Sequence, residues 1–291
     1  MTEEAHFVKR EKKQLYLGAA GQAARYLVLF AASFVFLLPF VAMLFNAVKP
    51  EYEILGYPPT FFPHEITLDN YRAVLSNDSM HLLSSLGNSI LVAGVRTAFT
   101  LYFAALWGYA LSKCRFPGRR LLFYVVLSAM MVPVAVILLP LYQEMVWFRL
   151  NGKLLSLILV INSTTSYAVF IMKQFIDTLP NELLEAGRID GCTEFQVFHR
   201  LVFPLLRNAI SAVSIIVFLY VWNDFLWPYM MIDDPSKFTI TVAMQFLNGQ
   251  NFIRYGQLMA ATSISMLPIM VVYFIFQNRF TQGIATAGLK E

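Results

Sequence analysis

Residues Tyr26 to Phe45 read YLVLFAASFVFLLPFVAMLF, twenty positions without one charge, directly after Arg25. About 20 apolar residues are what a helix needs to cross the hydrocarbon core of a bilayer. The run is too long for the apolar part of a signal peptide and lacks a small-residue cleavage site, so it reads as a retained span. Working outward, five further stretches qualify: Asn88–Leu111, Leu121–Tyr142, Leu154–Met172, Asn208–Leu226 and Leu258–Phe276. Pro39, Pro133 and Pro268 fall inside spans, which neighbouring helices in a bundle can tolerate. The expectation is an all-α polytopic membrane protein with six transmembrane helices.

Composition agrees. Of 291 residues, 58% are hydrophobic and only 14% charged, and the mean hydropathy is +0.59. Soluble domains carry about 25% charged residues, which argues against a soluble enzyme. Two cysteines exclude a disulfide-rich secreted class. A net charge of +4 would suggest nucleic acid for a soluble chain. In a membrane protein it is read by position, and no nucleic-acid partner is expected.

With the N-terminus inside, most Lys and Arg, from Lys9 to Lys290, fall in inner segments. Only Lys49, Arg72, Arg149, Lys153, Lys237 and Arg254 lie outside. The positive-inside rule therefore places both termini in the cytoplasm. Residues 1–25 become a cytoplasmic N-terminal segment and 26–291 the transmembrane domain. Cys114 and Cys192 lie on the reducing side, where no disulfide is expected. Two outer connections are long, Asn46–Gly87 and Pro228–Gln257, and connections of that length commonly bind something.

The inner connection 173–207 is too polar to cross. Leu179-Pro180-Asn181-Glu182 reads as a helix start. Gly191 is placed as its left-handed stop, and Thr193-Glu194-Phe195-Gln196 as a capping box opening a second short helix that ends near Pro204. Ala186 and Gly187 allow close approach by another protein. An amphipathic hairpin resting on lipid headgroups is the plain alternative.

Glu185-Ala186-Gly187, three residues, Gly191, nine residues and Leu201-Val202-Phe203-Pro204 resemble the EAA loop of ABC-importer permeases. The chain departs from that pattern at Gly187, Leu201 and Phe203. Leu68-Asp69-Asn70-Tyr71, Phe116-Pro117-Gly118-Arg119-Arg120, Ile189-Asp190-Gly191, Trp222-Asn223-Asp224 and Gln277-Asn278-Arg279-Phe280 extend the resemblance to the maltose-type second permease of carbohydrate importers. It implies a bacterial inner-membrane permease translocating a sugar or oligosaccharide, with Glu185, Ala186, Gly187, Asp190 and Gly191 docking on a cytoplasmic ATPase dimer. It also implies a second homologous permease, and an extracytoplasmic solute-binding protein that meets loop Pro228–Gln257. No G-x-x-x-x-G-K-[ST] run is present, so the resemblance puts ATP and Mg on the partner subunits, with no catalysis or cofactor in this chain.

His64, His81 and His199 show no metal-ligand spacing. Trp222 and Trp227 read as interface-belt aromatics, and Ser163, Ser263 and Ser265 as interhelical hydrogen bonders. Asn223 and Asp224 are, with Arg96, the candidates for the substrate pathway, lining a cavity or anchoring a loop, and a simple helix cap is the plain alternative. Arg96 lies about 12 Å below the start of its span at 1.5 Å per residue. It either snorkels to the outer headgroups or faces the substrate pathway, where it would favour an acidic saccharide such as a uronate oligomer. A secondary ion-coupled transporter is the competing function; it would show midplane ionisable residues, broken helices and a repeat. An intramembrane enzyme would need catalytic polar residues clustered in the spans.

Overall fold

The computed structural model describes residues 19–77, 80–160, 163–247 and 253–287, without side chains at 19–20, 163, 246 and 278–287. Most of the expected N-terminal segment therefore lies outside the described residues, as do part of the crossing around Asn162 and the stretch 248–252. The described residues are helical, with no β-strand among them.

Helix α1 (Ala19–Ala47) is followed by two short helices, α2 (Glu51–Ile54) and α3 (Asp69–Leu75), and then by the long α4 (Leu82–Lys113). Next come α5 (Arg119–Met131), α6 (Val134–Trp147), α7 (Leu155–Ile158) and α8 (Ser163–Asp177). A hairpin of α9 (Asn181–Ile189) and α10 (Glu194–Val197) runs through a π-turn at Phe198–Val202 into α11 (Phe203–Leu205). Helices α12 (Arg207–Trp222), α13 (Leu226–Met231), α14 (Ile240–Met244) and α15 (Tyr255–Ala287) complete the chain.

Three helices are long and apolar enough to cross a membrane unbroken: α1, α4 and α15. The expected single span Leu121–Tyr142 is two helices, α5 and α6, set 105° apart. Pro133 lacks the N–H that would continue α5 and holds Val132 extended (ψ 118°), so the bend falls there. The expected span Leu154–Met172 is split between α7, only four residues, and α8. Helix α12 stops at Trp222 and is bent 76° from the segment before it. Counting each bent pair as one crossing, up to five candidate spans are present among the described residues, against six expected.

Helix α4 is the hub. It packs on α8 and α12 and touches α5, α7 and α14. Its contact face is small: Ala93, Ala104 and Ala105 are fully or almost fully buried. A Cβ on Gly108 would lie 2.9 Å from the Lys173 nitrogen and 3.1 Å from the Met172 Cβ. Small residues give membrane helices this close approach, which dispersion and packing reward where no hydrophobic effect between helices is available.

The long first connection is structured. Lys49 is 1% exposed; its ammonium donates to the Thr60 carbonyl (2.5 Å), while the Thr60 hydroxyl donates to Glu53 (2.9 Å). The His64 N–H also bonds Glu53, and these donors hold its carboxyl below the usual range. Asn70 donates to the carbonyls of Ala47 (3.0 Å) and Lys49 (2.7 Å), and its amide lies where a Cβ of Gly256 would be. Glu51 accepts the N–H groups of Tyr255 (2.8 Å) and Gly256 (3.0 Å), capping the positive end of α15. The end of α1 is thus tied to the start of α15.

Several sequence expectations change. Trp222 and Trp227 are 3% and 5% exposed, packed inside rather than at a belt, and the Trp227 indole donates to the Ser156 carbonyl (3.2 Å). A buried indole needs an acceptor, and the end of a short helix supplies one. Ser263 does bond across, to the Tyr71 hydroxyl (2.9 Å), whereas Ser265 bonds back to the Thr262 carbonyl of its own helix. The Ser163 side chain lies outside the described residues.

Candidate functional site

The hairpin after α8 is built by local chemistry. Pro180 precedes α9 in extended conformation, and Glu182 sits in the first turn, where the helix dipole favours an acid. At the other end Gly191 adopts φ +83°. The Cys192 N–H reaches the Gly187 carbonyl (3.0 Å), and the Gly191 N–H reaches that of Arg188 (3.0 Å), the paired bonds of a Schellman stop. Two residues later the Thr193 hydroxyl accepts the Gln196 N–H (3.3 Å), and the Gln196 side chain accepts the Thr193 N–H (2.8 Å). The reciprocal capping box starts α10 as soon as α9 has ended.

Of the expected docking residues, Glu185, Ala186, Asp190 and Gly191 are exposed, and Gly187 is buried. A Cβ at 187 would stand 2.5 Å from Leu201 Cδ1, the movable end of a side chain, so an alanine here needs Leu201 to shift. Leu184, Val197, Phe198 and Val202 complete the inner face. Ile189 at the tip is 85% exposed and Phe195 60%. These two bare apolar side chains were missed in the sequence, where each looks like an ordinary helix residue; their presence on the polar face of an amphipathic helix was the available signal.

The hairpin hangs from α4 by polar ties. Glu194 pairs with Arg188 (2.7 Å) and accepts the Tyr109 hydroxyl of α4 (2.6 Å). The Arg188 bond first and the Tyr109 bond second hold the Glu194 carboxyl below its ordinary value, outweighing burial. Further along, the Ser112 hydroxyl donates to Asp177 (2.5 Å) and the Lys113 ammonium to Asn181 (2.9 Å). Tyr102 and His199 are hydrogen-bonded at 3.0 Å. The Tyr109–Glu194–Arg188 chain joins residues far apart in sequence, and no local pattern signals it.

Arg96 lies deep in the same helix, 3% exposed, with Nη1 donating to the Leu157 carbonyl (3.2 Å) at the end of α7. Leu157 stands in the last turn of α7, where helical carbonyls run out of partners, and the guanidinium donates to it. Asp224, half-buried between α12 and α13, is near enough to act electrostatically on Arg96 and accepts the Trp227 N–H (3.4 Å). Asn223 is exposed and bonds back to the Leu219 carbonyl (2.8 Å). Arg96 of α4 therefore reaches across to the break after α7 and feels the charge of Asp224 at the break after α12, with no ion pair within 4 Å between them among the described residues, and Asn223 is left as a helix end. A mostly apolar cavity of about 400 Å³ is lined by Phe99, Phe103 and Trp107 of α4 with residues of α5, α7 and α8, whereas Asp224 lines a separate one of about 40 Å³ with Tyr220 and Trp227.

Residues 101–286 match the family described as binding-protein-dependent transport system inner membrane component. The chain is 32% identical over 89% of its length to the arabinooligosaccharides transport system permease protein AraQ of Bacillus subtilis (strain 168), of which it covers 92%. A crystal structure of a bacterial ABC transporter involved in the import of the acidic polysaccharide alginate shares the fold. Its TM-score is 0.75 at 19% identity, covering 89% of this chain and 96% of that one. A second, of a bacterial alginate ABC transporter in complex with an alginate pentasaccharide-bound periplasmic protein, matches at TM-score 0.59 and 13% identity, covering 87% and 94%.

Proposed function

Because this chain belongs to the family of binding-protein-dependent transport system inner membrane components, as a carbohydrate-uptake ABC-transporter permease, we propose that it forms half of an ATP-driven saccharide pathway. In this reading it crosses the membrane six times with both termini in the cytoplasm. The crossings are α1, α4, α5 with α6, α7 with α8, α12 with α13, and α15. A second permease supplies the other half, and an extracytoplasmic solute-binding protein delivers the saccharide. ATP and Mg are handled by a separate ATPase dimer.

The observation that carries the reading is the hairpin: stopped and restarted within four residues, apolar at its tip, and fastened to the hub helix by Tyr109 and Glu194. Glu185, Ala186, Ile189 and Asp190 would enter the ATPase surface, while Gly187 and Gly191 shape the hairpin behind them. A stiff element of this kind moves as a unit, so displacement of the tip reaches α4. Replacing Gly191 by Val puts a β-branched residue at φ +83°, a strain of about 1–2 kcal/mol. We expect co-purification of the ATPase to fall at least several-fold in Gly191→Val with membrane insertion unchanged; full transport and unchanged association would reject the assignment.

The placement of Arg96 and Asp224 beside the breaks after α7 and α12 favours a second reading, an ion-coupled secondary transporter, because such proteins place ionisable residues at broken helices. Uptake in proteoliposomes that depends on internal ATP and survives collapse of ion gradients decides for the first. The substrate we carry forward is a saccharide. A preference for acidic sugars requires the Arg96 charge to reach the pathway, and its bond to Leu157 and the nearby Asp224 instead support a positioning role. Competition of neutral and uronate oligosaccharides for uptake, in wild type and Arg96→Gln, tests that: the acidic reading needs a uronate preference that the variant loses.

A further inference from the structure

At the hairpin end of α4 a cleft of about 730 Å³ opens between the α4–α5 turn and α9. Four cationic side chains line it, Lys113, Arg115, Arg119 and Arg188, with the carboxylates of Glu185 and Glu194. Arg188 and Glu194 satisfy each other. The remaining charges are unbalanced. The Lys113 ammonium donates only to neutral acceptors, the Leu179 carbonyl (2.7 Å) and the Asn181 side chain (2.9 Å). Arg119 spends one nitrogen on the carbonyls of Ser112 (3.2 Å) and Cys114 (3.1 Å), which fixes the side chain and leaves the rest of its fork unused. Arg115 is exposed, and among the described residues none of these three cations is paired with a carboxylate. Only Glu185, exposed at the rim, opposes them.

Two guanidinium groups and an ammonium converging on one polar cleft suit a tetrahedral oxyanion, which takes bidentate arginine contacts and a point charge at once. The neighbouring surface says what carries it. Helix α5 starts in the cleft and presents Leu121, Tyr124 and Val125 outward, all more than half exposed. An apolar stripe leading out of a cationic cleft at a membrane boundary matches a headgroup followed by its chains. We infer that this cleft binds the phosphate of an anionic phospholipid whose acyl chains lie along α5, a fixed lipid wedged between the membrane helices and the hairpin. The site requires the chain to sit in a bilayer and is independent of whether an ATPase docks on α9.

The transporter purified through this chain, washed in mild detergent and offered equal phosphatidylglycerol and phosphatidylcholine, should retain phosphatidylglycerol preferentially by native mass spectrometry. Lys113→Gln with Arg119→Gln should reduce that preference about thirtyfold, two cations at the per-residue strength seen for basic clusters near anionic lipid. Arg119→Lys keeps the charge, loses the fork and should fall between, which guards against a double variant that fails to fold. Arg254→Gln, at the far end, should leave the preference intact. Absence of preference in the wild type, or a preference untouched by the double variant, overturns the site. Displacement of the lipid by millimolar inorganic phosphate or glycerol phosphate would make the ligand a free phosphate and overturn the lipid assignment; resistance to both supports it. If the double variant loses the ATPase while keeping its lipid, the cleft serves a protein partner and the inference fails, whereas loss of lipid with the ATPase still bound supports it.

Discussion

Helices α1 and α4 are both of spanning length and were read from the sequence by the same rule, yet they live differently. None of the spanning window of α1 is buried within the chain, whereas half of that of α4 is. Helix α1 presents Phe30, Phe34 and Phe36 outward, whereas α4 buries Ala, Gly, Ser, Thr and one Arg among its Leu, Val and Tyr. The difference teaches that a helix left outside the chain's own packing can be uniformly apolar, while a packed one adds small and hydrogen-bonding residues to the large apolar ones that it buries. Of the two, the more hydrophobic helix is the one exposed on this chain.

That contrast can be broken most directly at Gly108. A valine there meets backbone atoms of Lys173 and Met172, and separating α4 from α8 should cost roughly 3 kcal/mol or more, seen as loss of folded protein or a collapsed Tm. Phe36→Ala in α1 should shift stability by no more than about 0.5 kcal/mol; a large loss would mean that this outward face of α1 is covered in the assembly. Arg96→Met leaves the Leu157 carbonyl and Asp224 without their cation, an expected loss of about 2 kcal/mol measured by denaturation in detergent. Adding Asp224→Asn should recover part of it, and strict additivity would show the two residues to be uncoupled. Thr193→Ala removes the hydroxyl that starts α10 and should cost about 1 kcal/mol, read as faster hydrogen exchange confined to the hairpin.

The smallest effect concerns pH. The Glu194 carboxyl is held below 4.5, so its tie to Arg188 and Tyr109 contributes fully above that value and is lost as pH falls through the lower folded one. With both partners of the ion pair partly exposed, the contribution stays under about 1 kcal/mol. Hairpin protection should weaken on acidification below the ordinary carboxylate range in the wild type and stay flat in Glu194→Gln; identical profiles would remove Glu194 from the tie.

Local rules made much of this molecule readable. Gly191 as a left-handed stop and the Thr193–Gln196 box each follow from residues within four positions of one another. Pro133 was visible as a proline inside a span, but the angle of 105° depends on what each half packs against. The division of Leu154–Met172 escaped notice because apolarity is the same in a continuous helix and a broken one. The Tyr109–Glu194 and Arg96–Leu157 bonds join positions 85 and 61 residues apart, where periodicity carries no signal. Both were paths from a span to a break or a hairpin, the contacts through which this bundle is wired.

The knot at Asn70 bears on how the chain is made. Its amide holds the carbonyls at the exit of α1, presses on Gly256, and stands beside the Glu51 cap on α15. Helices α1 and α15 pack on each other from opposite ends of the polypeptide. During synthesis α1 leaves the ribosome long before α15, so the packing of the two waits until α15 has been threaded into the bilayer. Helix α1 must spend that interval without the neighbour it later seats on, a condition its apolar surface suits, and this docking comes late in assembly.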